Sequence, residues 1–194
     1  MLSYHQQSIS ILLKDKMVLY NNREKGIIKI KTLTLEDLGD IVRVEEEAWE
    51  PELRASRETF IERLKRFPEG FIGCYVNGKL AGITYGHPIK KIEKTWFHNS
   101  YEGAFNPKGE VFYIVNVGVS NYYVGAGVGS KLLDKNKELA KKLKSKKIVL
   151  GARNLESNLH FYKKNGFVVV GKIKNYFPED KESNGIGVLM ESVL

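Results

Sequence analysis

The chain has 194 residues, 42% hydrophobic and 28% charged, a length and composition suited to one globular domain with a real core. Its longest apolar runs fall far short of a bilayer span, and Met1 to Leu13 lack the basic and small-residue pattern of a secretory leader. A single cysteine, Cys74, excludes an internal disulfide and fits a reducing cytoplasm, where it is expected as buried packing.

Thirty-one Lys and Arg against 23 Asp and Glu leave a net charge of +8. Such a balance suits an anionic ligand, and it equally suits a lysine-rich solvated surface. The basic residues are spread along the chain without aromatic interleaving, so neither nucleic acid nor a membrane is expected as a partner.

Residues 1–26 show no steady periodicity and read as an appendage ahead of one domain over 27–194. Ile28 and Ile30 begin a strand, and Thr34 is a helix N-cap before Glu36 and Asp37. Leu38, Ile41, Val42 and then Val44 or Glu45 recur at helical spacing to about Trp49, where Pro51 stops the helix. Ser56 starts a second helix carrying Phe60, Ile61 and Leu64. Two strands, 70–76 and 80–87, flank Asn77-Gly78, a strong hairpin signal. The stretch from Pro88 to Gly109 is long and aromatic, a length that loops take when functional or disordered. Val111 to Val119 is rich in β-branched residues and reads as a buried strand. An amphipathic helix from Val128 to about Leu143 follows the glycines. A strand over 148–152, a helix over 155–165 and strands over 167–173 and 186–193 complete the order, with Gly166 at a left-handed helix end.

The most informative segment runs from strand to helix through Val124-Gly125-Ala126-Gly127-Val128-Gly129-Ser130. A helix start carries unsatisfied N–H groups and the positive end of the helix dipole, and glycines let an anion approach them. That is a phosphate or pyrophosphate site; the plain alternative is a turn packed tightly on the sheet. A dinucleotide loop would need its last glycine at Ser130 or Leu132, and a P-loop would need glycine before Lys131, where Ser130 stands. Downstream lies Phe161-Tyr162-Lys163-Lys164-Asn165-Gly166-Phe167.

These two segments resemble the signatures of the GNAT N-acetyltransferases, Q/R-x-x-G-x-G/A and F/L-Y-x-x-x-G-F, with Val124 in place of the usual Arg or Gln. The resemblance covers about Ile27 to Val193. It implies a mixed α/β fold: a mostly antiparallel, splayed sheet of six or seven strands with about four helices. It implies acetyl-CoA as cosubstrate, no metal, and an amine as acceptor, with a homodimer left open. By resemblance, Val124, Gly125, Ala126, Gly127, Val128, Gly129 and Ser130 hold the pyrophosphate. Val117, Gly118 and Val119 bond the pantetheine arm through main chain, Gly118 marking a bulge or a close approach. The family's asparagine falls on Leu155 here, so Asn154 and Asn158 are the neighbours available for its cofactor contact.

The implied chemistry is attack of a neutral amine on a thioester. A lysine-like amine is neutral in roughly one molecule in 2,500 at pH 7, so a proton acceptor is needed. The leaving thiolate must gain a proton, and by resemblance Tyr162 donates it. Glu110, opening the strand that borders cofactor and acceptor, is the first candidate for the base. Glu45, Glu46 and Glu47 are the alternative, carboxylates that could instead attract a cationic amine, and His87 and His98 are further candidates. The acceptor stays open among arylalkylamines, polyamines and peptide N-termini.

Overall fold

The computed structural model describes residues 26–92 and 104–194. The appendage, apart from Gly26, and the loop residues Trp96, Phe97, His98 and Tyr101 lie outside them.

Strand β1 (Ile28–Thr32) leads into a short 3-10 turn over Leu35–Asp37. Thr34 caps that turn reciprocally: its hydroxyl accepts from the Glu36 N–H at 3.3 Å, and its own N–H donates to Asp37 Oδ2 at 2.9 Å. Helix α1 (Leu38–Ala48) follows and buries Leu38, Ile41, Val44 and Glu45. Helix α2 (Arg57–Arg66) is capped by Ser56, whose hydroxyl accepts from the Thr59 N–H at 3.2 Å. Strands β2 (Phe71–Val76) and β3 (Lys79–Ile89) form the expected hairpin. Asn77 and Gly78 have φ of 51° and 82°, the pair of positive angles that a tight hairpin turn of matching twist demands. β3 runs two residues further than the sequence pattern indicates, because Pro88 and Ile89 still pair with Phe112 and Val111 of β4, and Ile89 also bridges to Phe105.

Strand β4 (Val111–Val119) precedes the glycine turn and helix α3 (Val128–Lys142). Strand β5 (Lys147–Arg153), helix α4 (Glu156–Lys164) and strands β6 (Val168–Ile173) and β7 (Gly187–Val193) finish the chain. The seven strands form one sheet in the order β1-β2-β3-β4-β5-β7-β6. Every neighbouring pair is antiparallel except β4 with β5.

Two features of this sheet make the site. β4 and β5 pair only from Val111↔Lys147 to Ile114↔Leu150; beyond that point they diverge, and among the described residues Val115 to Val119 keep β3 as their only strand neighbour. The second feature is a bulge. The register passes from Tyr85↔Asn116 to Gly86↔Ile114, leaving Val115 unopposed. The bulge thus falls at Val115 rather than at Gly118, where the glycine suggested it. Gly118 instead lies beside Trp49, with room for a Cβ 3.4 Å from Trp49 Nε1.

Apolar layers cover both faces. On one, Leu38, Ile41 and Val44 of α1 with Phe60 and Leu64 of α2 pack on Ile83, Tyr85, Tyr113 and Val115. On the other, Val128, Leu132, Leu133 and Ala140 of α3 cover Ile72, Ala81, Phe112, Ile114 and Ile148. Cys74 is a free, fully buried thiol in this second layer. No helix among the described residues is long and apolar enough to cross a membrane.

Candidate active site

A cavity of about 550 Å³ opens where β4 and β5 part. Ile114 to Val117 of β4, Leu150 and Gly151 of β5 and Tyr162 of α4 form one side of it. Glu45 and Trp49 at the end of α1 and Arg63 of α2 also line it.

Glu45 is the most buried carboxylate of α1, 2% exposed. Its spacing puts it on the same helical face as Leu38 and Ile41, so the helix carries it inward with its apolar neighbours. Both oxygens are engaged: Oε1 accepts the Ala55 N–H at 2.9 Å and Oε2 accepts Asn116 Nδ2 at 3.1 Å. Burial pushes this carboxyl above the ordinary carboxylate range, opposed by those two hydrogen bonds and by the charges of Arg63 and Arg54. Glu46 is exposed, and Glu47 is bonded to Arg43 at 3.0 Å; neither reaches the cavity.

Tyr162 packs edge-on between the rings of Phe161 and Phe167, with centroids 5.0 and 6.0 Å away. The same enclosure pushes its hydroxyl up to about 12, so the O–H keeps its proton throughout the neutral range. Such a group is a hydrogen-bond donor held ready on the cavity wall.

Two buried atoms on that wall, Trp49 Nε1 and Asn116 Oδ1, have no protein partner among the described residues. One is a donor, the other an acceptor. Leaving a buried polar atom unpaired costs about 1–3 kcal/mol, so these two mark places where a ligand's polar groups fit.

The glycine turn divides by role. Gly125 and Gly127 have φ of 85° and 80°, with open space where a Cβ would project. Their conformation needs glycine, and Val124 to Gly127 are exposed at the start of α3. The N–H groups of Val128, Gly129 and Ser130, in the first turn, lack helical partners by construction. This surface fits an anion such as a pyrophosphate. Gly129 is glycine for another reason, since a Cβ there would stand 2.9 Å from the Phe161 ring.

The remaining sequence-level candidates fall as follows. Val117 lines the cavity; Gly118 and Val119 continue the β4 edge that β5 leaves uncovered. Asn154 sits just after β5, its N–H donating to the Ile186 carbonyl at 3.2 Å, and Asn158 lies within α4; neither lines the cavity. Glu110 does not reach the site. It precedes β4 at the end where β4 and β5 are still paired, is exposed, and bonds Lys146 at 2.7 Å. Of the carboxylates considered as proton acceptor, Glu45 lines this cavity and Glu110 does not. His87 is fully buried among Tyr85, Phe105 and Tyr113, away from the cavity wall.

Sequence reasoning missed the segment between β6 and β7. Tyr176 fills the space over Gly151 and Gly187, where a Cβ on either would come within 2.3 Å of its ring, and its hydroxyl meets that of Tyr113. Arg153 clamps Asp180 through two bonds of 2.7 and 2.8 Å and also reaches Glu182 and Glu50. Tyr176, Phe177 and Pro178 thereby close one wall of the cavity.

Residues 35–167 match the family model described as Acetyltransferase (GNAT) family. A curated relative, the uncharacterized N-acetyltransferase YkwB of Bacillus subtilis strain 168, is 26% identical over 93% of this chain and 95% of its own. Among solved structures, the loading GNATL domain of CurA from Lyngbya majuscula superposes with a TM-score of 0.78 at 20% identity, covering 86% of this chain and 98% of that one. The GphF GNAT-like decarboxylase, solved with isobutyryl-CoA, gives 0.77 at 22% identity over 85% of this chain and 98% of its own. The chain belongs to the GNAT acetyltransferase family.

Proposed function

We propose that this protein is an acetyl-CoA-dependent N-acetyltransferase, with residues 27–194 as one catalytic domain. It transfers the acetyl group to a primary amine by direct attack while both substrates are bound. The observation that carries this reading is the cavity at the β4–β5 divergence, which holds a buried carboxylate, Glu45, and a protonated phenol, Tyr162.

In this reading the pyrophosphate rests on the N–H groups of Gly125 and of Gly127 to Ser130, the Ala126 N–H being donated to the Tyr123 carbonyl at 3.1 Å, and the pantetheine arm runs along Val117 to Val119, the strand edge free of β5. Glu45 takes one proton from the entering ammonium, leaving a lone pair to attack the thioester carbon. The C–N bond forms as the C–S bond breaks, and Tyr162 donates to the departing sulfur. A phenol near 12 lies well above a thiol of about 8.5, so Tyr162 stabilises the thiolate first as a hydrogen-bond donor. One amine proton ends on the thiol and the other leaves through Glu45 to solvent.

The test is to mix the purified protein with acetyl-CoA and phenethylamine, spermidine, alanine or a dialanine peptide, and to follow free thiol. Amine-dependent release that collapses in Tyr162→Phe supports the reading. Thermal stabilisation by acetyl-CoA with no release from any amine would favour a non-catalytic acyl-CoA sensor.

A further inference from the structure

We propose that Asn116 is the residue that receives the acceptor nitrogen, its carboxamide oxygen taking an N–H of the amine while its Nδ2 holds Glu45. The assignment rests on the N-acetyltransferase reading above and specifies how that site recognises its acceptor.

Strand geometry alone would turn Asn116 away from Glu45. Along β4, Tyr113 packs with the α1 layer, Ile114 with the opposite layer and Val115 with the α1 layer again. Strict alternation would then send residue 116 to the α3 side. The bulge at Val115 breaks the alternation, so Val115 and Asn116 both serve the α1 side, and Val117 returns to the other. Re-aiming a side chain beside a site is a recognised use of a bulge.

A second device fixes the main chain just past the bulge. The Thr84 hydroxyl donates to the Asn116 carbonyl at 2.7 Å, and Asn136 Nδ2, fully buried in α3, donates to Thr84 Oγ1 at 2.9 Å. A polar chain therefore runs through the sheet from α3 to the cavity, ending at Glu45. Thr84 and Asn136 are positioning residues: they touch neither substrate, but they hold the strand that aims Asn116.

The orientation of the Asn116 amide follows from its partner. Facing the ionised Glu45, it presents its donor end, Nδ2, at 3.1 Å. The acceptor end, Oδ1, is then left on the cavity wall, buried and without a protein partner among the described residues. An ammonium entering beside Glu45 has N–H groups for both Glu45 and Oδ1. An alcohol has a single O–H, so it leaves one of the two acceptors unmet. The pair thus selects a nitrogen nucleophile over an oxygen one.

The experiment uses whichever of phenethylamine, spermidine or dialanine the wild-type protein acetylates fastest. Asn116→Leu is expected to raise the KM for that amine about tenfold or more, the scale of one lost hydrogen bond, with the KM for acetyl-CoA nearly unchanged. It is also expected to move the acid limb of kcat/KM to higher pH. Glu45 loses a donor that favours its charged form and keeps only the Ala55 N–H and the Arg54 and Arg63 charges. Thr84→Val should reproduce both effects in smaller measure, and Thr84→Ser should restore wild-type behaviour. An unchanged amine KM in both Asn116→Leu and Thr84→Val overturns the assignment, as does a parallel change in both KM values with no movement of the pH limb. Should Asn116→Leu not fold, the Thr84 pair decides alone. A wild-type protein that acetylates none of the amines removes the underlying reading first, and Asn116 with it.

Discussion

Gly129 of α3 and Phe161 of α4 occupy each other's space: a methyl group on the glycine would stand 2.9 Å from the ring. The third glycine of the turn is thus a packing residue, joining the helix that starts at the glycine turn to the helix that carries Tyr162. Gly129→Ala should lower stability by about 1–3 kcal/mol through overpacking. At this chain length that corresponds to a Tm roughly 2–4 °C lower per kcal/mol. Gly125→Ala and Gly127→Ala meet no neighbour but force alanine to positive φ, costing about 1 kcal/mol each. Their larger effect is expected on the KM for acetyl-CoA, so melting curves and substrate titrations on the three variants separate the two roles.

Removing the phenol should leave binding intact and slow the chemistry. Tyr162→Phe is expected to reduce kcat about 10²- to 10⁴-fold with little change in the KM for acetyl-CoA. Because the hydroxyl stays protonated until about pH 12, wild-type kcat should show no loss attributable to Tyr162 up to pH 10. An alkaline fall below pH 10 that disappears in Tyr162→Phe would contradict this.

In the proposed mechanism Glu45 acts in its charged form, and burial raises its pKa, so activity should climb as pH passes upward through that raised value. Glu45→Gln is expected to cost about 10²–10⁴ in kcat/KM at pH 7 and to erase this limb. The variant's remaining pH dependence should follow the titration of the amine alone. A profile identical in shape to wild type would exclude Glu45 as the proton acceptor.

Asp180 contributes to stability in acid. Burial alone would raise its pKa, but hydrogen bonds from Arg153 and Ser183 outweigh that and bring it down to about 2. A folded value below the ordinary 3.9 contributes stability that is complete above about pH 5 and is lost as pH falls toward 2. The contribution is about 2–3 kcal/mol at neutral pH. Asp180→Asn should therefore be less stable at pH 7 and lose less on going from pH 5 to pH 3, as urea unfolding at the two pH values would record.

The order of strands and helices is legible in the sequence because each element carries its own periodicity and its own stop: Thr34 and Ser56 as caps, Asn77-Gly78 as a turn, Gly166 as a helix end. The open glycines Gly125 and Gly127 are legible for the same reason, since their positive φ is a local requirement, whereas Tyr162 stands out only by its place in the Phe161–Phe167 signature. Glu45 is less so. Its spacing from Leu38 and Ile41 places it on the buried face, but in a run of three glutamates that position looks like a solvated surface. Glu110 stands away from the cavity, a placement hidden in the sequence because proximity along a strand does not say at which end the strand leaves its neighbour. The Val115 bulge and the Tyr176 plug depend on contacts between residues distant in sequence, and no single segment announces them.

The parting of β4 and β5 has a consequence for how long the folded protein lasts. Among the described residues, the two halves of the sheet are joined by strand pairing only from Val111 to Ile114, so a thioester laid along the open edge would act as a clasp between them. A clasp that binds the folded chain alone adds RT ln(1 + [L]/Kd), about 2.7 kcal/mol at a hundredfold excess over Kd. Scarcity of acyl donor would then leave more of the protein open to proteolysis, making its abundance a slow record of the supply of its own substrate.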